Sequence, residues 1–262
     1  MPVDSGSIPA PPIQLQLDFT GMRARLAAVL LVMTAGGVAA GSLEEATTAN
    51  DKGDFQTALR IYTELSNQGD RTAQLQLGLM YDEGHGVPKQ YQQAVRWYSV
   101  AASQGDPDAP YYLGRIYHDG RSSSKNYARA RQWYRVASQR GNPKAAVNLG
   151  VMYAFGLGGP KNYQAAGQWF FLAAIRGDIK AQDNLGVLYQ NGEGVQRDYI
   201  KAYMWFTLAA AAQGDSEASK HRDQIARLMT SSQIEQAQRL SSQKLYDVIR
   251  CRIVATLPCH WW

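Results

Sequence analysis

Residues 77–106 read LGLMYDEGHGVPKQYQQAVRWYSVAASQGD, and this stretch returns three times downstream. Leu77-Gly78 recurs as Leu113-Gly114, Leu149-Gly150 and Leu185-Gly186, each step being 36 residues. Tyr81 recurs as Tyr117, Tyr153 and Tyr189, and Trp97-Tyr98 as Trp133-Tyr134, Trp169-Phe170 and Trp205-Phe206. Several marks in one register over a period of this length signify a stacked array of one supersecondary unit, not a single closed core.

Each unit reads as two antiparallel helices. In the first full unit, helix A is expected from about Thr72 to Glu83, with Ala73, Leu77, Met80, Tyr81 and Gly84 on one face. Gly78 lies beside that face, where the missing Cβ lets a neighbouring helix come close. Helix B, from about Gln90 to Gln104, carries Tyr91, Ala94, Val95, Trp97, Tyr98, Ala101 and Ala102 over a wide arc, as a helix packed on both sides requires. Helix A closes at Gly84-His85-Gly86-Val87 through a glycine suited to the left-handed conformation. Helix B closes at Gly105, and Asp106-Pro107 restarts the chain with an N-cap carboxylate and a proline at the first helical position. Gly141-Asn142-Pro143 repeats that chemistry, while Gly177-Asp178 and Gly214-Asp215 keep its Gly-Asp part.

The pattern Ala-x3-Leu-Gly-x2-Tyr-x2-Gly-x-Gly-Val, then Tyr-x2-Ala-x2-Trp-Tyr-x2-Ala-Ala-x2-Gly-Asp, resembles the Sel-one-like repeat, a relative of the tetratricopeptide repeat. The resemblance covers about residues 44–245, with full units beginning near Thr72, Asp108, Lys144 and Lys180. It implies an all-α, right-handed α-solenoid of about six antiparallel helix pairs. Two units depart at their loops: Gly120-Arg121-Ser122-Ser123-Ser124 replaces Gly-x-Gly-Val, and Gly158-Gly159 stands where Gly-Val is usual, so a looser or redirected loop is expected there. Leu43 to Asp70 reads as a shortened capping unit. Glu217 to Met229 and a helix from the capping box Ser232-Gln233-Ile234-Glu235 to about Leu245 read as the other cap.

The domain reading follows. Residues 22–40, with Arg23 and Arg25, an apolar run Leu26 to Met33 and small residues at Val38-Ala39-Ala40, have the anatomy of a signal peptide cleaved near Ala40. Pro-rich residues 1–21 are expected to be a non-native or disordered extension, translation starting at Met22; N-terminal sequencing of the natural product tests this. Residues 41–245 form the array and 246–262 an irregular tail. A periplasmic or secreted location follows, with no stable membrane span after cleavage.

The chemistry-bearing residue types mark no reaction centre. A formal charge of +5 with no Lys/Arg block reads as a solvated surface spread along the chain, not a nucleic-acid footprint. His85, His118, His221 and His260 lack ligand spacing, so no metal or cofactor is expected. Gly156-Leu157-Gly158-Gly159 follows a helix and lacks the Lys-Ser/Thr ending of a phosphate loop. No nucleophile elbow, triad spacing or paired carboxylates stand out. Cys251 and Cys259 either bridge in an oxidising compartment or remain free thiols in a tail. The closing His260-Trp261-Trp262 is either a partner-binding tag or sequence without a role.

The informative surface is the side of helix A away from Leu77 and Tyr81. It carries Leu75, Leu79 and Asp82, then Tyr111, Arg115 and His118. Val147, Val151, Ala154 and Phe155 follow, then Asp183, Val187 and Gln190. In right-handed hairpin stacks these helices line the concave groove. An apolar, aromatic middle between charged ends points to a protein or peptide ligand, unless neighbouring A helices cover these side chains. The expected function is a non-enzymatic adaptor or scaffold, by resemblance bacterial and exported. Two alternatives are kept. Some exported, cysteine-rich relatives bind or hydrolyse β-lactam-like cell-wall compounds, but they carry a cysteine pair per unit and this array has none. A secreted host-directed effector would use the same scaffold.

Overall fold

The computed structural model describes residues 41–211 and 216–253, the last ten of these as backbone. The expected extension and signal peptide, the Gly214-Asp215 junction, Cys259 and the closing His260-Trp261-Trp262 lie outside the described residues, as does the side chain of Cys251. The array falls within one unit that begins at Ser42.

Twelve α-helices and no strand occur among the described residues. Pair by pair they are α1 (Leu43–Asp51) and α2 (Phe55–Asn67), α3 (Arg71–Glu83) and α4 (Tyr91–Ser103), α5 (Ala109–Asp119) and α6 (Tyr127–Gln139). The series continues with α7 (Pro143–Phe155) and α8 (Tyr163–Ala174), α9 (Ile179–Asn191) and α10 (Tyr199–Ala210), α11 (Ser216–Ala226) and α12 (Ser231–Ile253). Each helix from α1 to α10 packs on the next, and both α11 and α12 pack on α10, so the helices form an α-solenoid.

The termini follow the expected chemistry, with two shifts. Asp70, Asn142 and Asp178 accept from the N–H groups of Ala73, Ala145 and Ala181 at 2.8, 2.9 and 2.9 Å, each cap contributing about 1 kcal/mol. Asp106 accepts from Asp108 and Ala109 at 2.9 and 2.7 Å, yet α5 begins only at Ala109. Pro110 has no N–H to give the Asp106 carbonyl, so the helical ladder cannot start where it does in the other units. At the far end the capping box is Thr230 with Gln233, not Ser232 with Glu235. The Gln233 N–H donates to Thr230 Oγ1 at 3.3 Å, and the Thr230 N–H donates to Gln233 Oε1 at 2.8 Å. The helix it opens runs on to Ile253, where an irregular tail was expected from residue 246.

The core repeats with the sequence. Ala73, Ala109, Ala145 and Ala181 are fully buried, as are Ala94, Ala130, Ala166 and Ala202. Adjacent aromatics on helix B face opposite ways: Trp97 packs against the cluster of the preceding unit, Tyr98 against that of the following one. The mid-helix glycine has a specific partner. A Cβ on Gly78, Gly114, Gly150 or Gly186 would lie 2.5–2.6 Å from ring carbons of Tyr98, Tyr134, Phe170 or Phe206. The close approach is therefore between a helix and the ring of its own hairpin partner. The divergent loop after α5 keeps its ends: Gly120 closes the helix at φ 72, and the Asn126 N–H donates to Tyr117 O at 2.8 Å. The standard loop does the same with Gln90 and Tyr81 at 2.9 Å.

Candidate functional site

The odd-numbered helices place the expected groove residues in three environments. Leu75, Asp82, Val147 and Ala154 are buried, at 9%, 4%, 8% and 8% exposure. Neighbouring units cover them, so they belong to seams between hairpins and not to an open surface. Leu79, Tyr111, Arg115, His118, Val151, Asp183, Val187 and Gln190 are half-buried. Val151 packs on the cluster of α7 to α10 and Val187 on that of α10 to α12. Phe155 is mostly offered to solvent, 70% exposed. The apolar middle is therefore one projecting aromatic beside a largely filled seam.

The charged ends are internally compensated. Asp82, at the end of α3, accepts from Arg121 Nη1 at 3.1 and 3.3 Å through its two oxygens, and Tyr98 Oη lies 3.5 Å from Oδ2. Arg121 also reaches Asp119 through Nε at 3.0 Å and Nη2 at 2.8 Å, and Asp119 Oδ1 lies 3.0 Å from His118 Nδ1. Burial raises the Asp119 pKa, but the bonds from His118 and the charge of Arg121 outweigh it and hold the carboxyl below its ordinary value. Burial works against the Arg121 cation, and Asp82 more than restores it. Three units on from Asp82, Asp183 Oδ1 meets His221 Nδ1 at 2.8 Å, with Phe206 5.2 Å from the imidazole ring.

Aromatic rings surround the first of these networks. Tyr98 stacks on Tyr112 at 5.2 Å, Tyr111 lies 6.0 Å from Tyr134, and His118 is 5.4 Å from Tyr127. Arg115 sits over Tyr111 and Tyr112 at 5.9 and 5.8 Å. Burial pushes the phenols of Tyr98 and Tyr134 well up, so both stay neutral in the folded chain. These residues bring together hydrogen-bonding, cationic and aromatic groups suited to recognition. No cluster of three metal-type ligands occurs among the described residues. No described helix is long and apolar enough to cross a membrane. Two shallow concavities lie at the ends of the array, on α1 and on α12, and neither includes an expected groove residue.

Sequence reading missed Arg121, Asp119, Tyr98 and Tyr112, because partners 39 residues apart leave no local trace. One signal was present: Arg121 stands in the loop that breaks the repeat pattern.

Comparison with known proteins agrees with this architecture. The Sel1 repeat model matches residues 72–106, 107–142, 143–178 and 179–213. The solved protective antigen c5321 of uropathogenic Escherichia coli, which displays an SLR fold, is 33% identical with a TM-score of 0.67, covering 78% of this chain and 45% of its own. A Sel1 repeat protein from Oxalobacter formigenes is 35% identical with a TM-score of 0.59, covering 65% of this chain and 49% of its own. The chain thus spans just under half the length of either protein. No curated protein matches it by sequence. Sel1 repeat proteins are generally protein-interaction scaffolds, typically without catalysis. With four matched units covering more than half its length, this chain belongs to the Sel1 repeat family.

Proposed function

We propose that this chain is an exported, non-enzymatic scaffold that grips a protein or peptide partner on the surface of its odd-numbered helices, with Phe155 as the anchor. The observation that carries this reading is the exposure of Phe155, 70%, at the end of α7. Its equivalents one repeat away in either direction are Asp119 and Asn191, and Glu83 precedes them, so this position is otherwise polar. An exposed aromatic at a site where sister units are solvated fits an anchor that inserts into a partner pocket. Tyr111, Arg115 and His118 supply hydrogen-bonding and cationic groups on the preceding odd helix. Export is supported by the signal-like residues 22–40 and by the likeness to a protective antigen.

Partner capture from a cell-envelope fraction tests the groove, comparing wild type with Phe155→Glu. Val151 is not a suitable second site, since it helps fill a core seam. Loss of specific partners with an unchanged thermal midpoint is expected; identical partner sets would remove Phe155 as the anchor. Fractionation of the native host tests export, and retention in the cytoplasm would end that part of the reading.

A further inference from the structure

The positive charge of this chain is concentrated, contrary to the even spread inferred from its net value. Residues 120–177 contain nine Lys/Arg and no Asp/Glu, while the rest of the chain nets −4 to give the total of +5. Arg121 is spent on Asp82 and Asp119, and Arg140 and Arg176 donate to backbone carbonyls of Ala102, Asp106 and Gly141. Lys125, Arg129, Arg131, Arg135, Lys144 and Lys161 take part in no ion pair among the described residues.

Two of these cations, both on α6, converge on Tyr153 of α7. The Arg131 guanidinium lies over the Tyr153 ring, 3.6 Å from its centroid, and Arg135 Nη2 donates to Tyr153 Oη at 3.0 Å. Arg129 lies over Tyr117 of α5 at 5.5 Å, on the other side of α6. Arg131 and Arg135 are one helical turn apart, and the stacking fixes the planes of these side chains before anything binds.

Arg131 also occupies a position that the repeat otherwise gives to apolar or small residues: Leu59, Val95, Gly167 and Tyr203 are its equivalents. Room for it comes from the neighbouring loop. Gly159 replaces the Val found at positions 87 and 195, and a Cβ there would collide with Arg131 Nη1. At the next seam the arrangement is inverted, with Val195 at 4.0 Å from where a Cβ on Gly167 would stand. The large residue has moved from loop to helix and has become a cation. Its Nε is buried without a hydrogen-bond partner, a cost that an apolar side chain would avoid. A sequence that departs from its own repeat in two matched positions, against stability, marks a site kept for binding.

We propose that the seam of α6 with the loop after α7 is a second docking site, taking an acidic protein segment whose carboxylates seat on the guanidiniums of Arg131 and Arg135. Planar, pre-ordered guanidiniums match carboxylates in two-point hydrogen bonds. A nucleic acid would need a longer track of phosphate contacts than two side chains on one helix. A bilayer would need apolar side chains free to insert, and here Tyr117 and Tyr153 are covered by the arginines. The substitutions that test this site leave Phe155 in place, so the two readings fail independently.

The test is fluorescence anisotropy of a labelled octaglutamate peptide with the full chain, alongside labelled single-stranded DNA and phosphatidylglycerol vesicles. Wild type is expected to bind the peptide in preference to either rival, more weakly as salt is raised. Arg131→Ala with Gly159→Val, which refills the seam, should lose at least tenfold in affinity while its thermal midpoint stays or rises. Arg135→Glu, an exposed position, gives the same loss should the double variant fold poorly. Lys52→Ala with Arg96→Ala removes two cations elsewhere and should bind as wild type. No peptide binding by wild type, equal binding by Arg135→Glu, an equal loss in the Lys52/Arg96 variant, or stronger binding of DNA or vesicles would overturn the proposal.

Discussion

Replacing Gly114 by alanine probes the packing on which every hairpin depends. The new Cβ would stand 2.5 and 2.6 Å from Tyr134 Cδ1 and Cε1 and 3.1 Å from Cγ, about 1 Å inside the contact distance of two carbons. The ring has nowhere to go. Tyr134 is 1% exposed, with Tyr111 at 6.0 Å and His118 at 6.4 Å between ring centres. Either α5 and α6 part or Tyr134 leaves its rotamer. Overpacking of this kind costs about 1–3 kcal/mol, and a collision with two ring carbons belongs at the upper end. Alanine returns about 1 kcal/mol of helix propensity, leaving a net loss of about 2 kcal/mol. That corresponds to a fall in thermal midpoint of about 4–8 °C for a chain of this size, read by circular dichroism at fixed protein concentration. In a Tyr134→Ala background the collision is gone, and the same substitution should be neutral or stabilising. A wild-type midpoint for Gly114→Ala in the native background would refute the packing account, since propensity alone predicts a gain.

Four further outcomes follow from the contacts. Arg121→Ala strips the buried Asp82 of its charged partner and should destabilise by about 2 kcal/mol; urea midpoints check it, and an unchanged midpoint would mean solvent replaces the pair. Because Asp119 is held below the ordinary carboxylate value of 3.8, its contribution is complete above that pH and is lost as pH falls through its folded value. The acid limb of the stability curve should therefore be shallower in the Arg121 variant. Among the phenols, Tyr153 is lowered: burial opposes ionisation, but the bonds from Arg131 and Arg135 and their charges prevail. It should ionise first in an ultraviolet titration, and Tyr153→Phe should delete that early step, whereas Tyr98 and Tyr134 should ionise only as the chain unfolds above pH 10. Phe155→Glu should leave the unfolding free energy within about 0.5 kcal/mol of wild type, since the side chain is mostly in water; a large loss of stability would mean that Phe155 is structural.

The legible part of this protein was the part written periodically. Leu77, Ala94, Tyr98 and their counterparts occupy one register because every hairpin solves the same packing problem against the same neighbours. Helix ends were readable for a related reason: Asp70 or Asn142 acts on an N–H three residues away, and Gly84 acts on its own backbone angle. Local chemistry misled only where a second proline intervened, at Pro110, and where two capping boxes overlapped, at Thr230 and Ser232.

The surface was harder to read, because facing outward from one hairpin does not mean facing water. Leu75 and Val147 point away from their own helix pair and straight into the next, so helical periodicity labels them exposed and the stack buries them. Distance along the chain hid the rest. Asp82 meets Arg121, Asp183 meets His221, and Arg131 meets Gly159 only after hairpins have been laid side by side. By itself the sequence determined the repeating unit, its helices and the residues that fill each seam, since those depend on contacts within reach of one period. Which charges are neutralised, which apolar side chains remain open and where the arginines gather were decided by tertiary structure, because each depends on the surface a neighbouring unit presents.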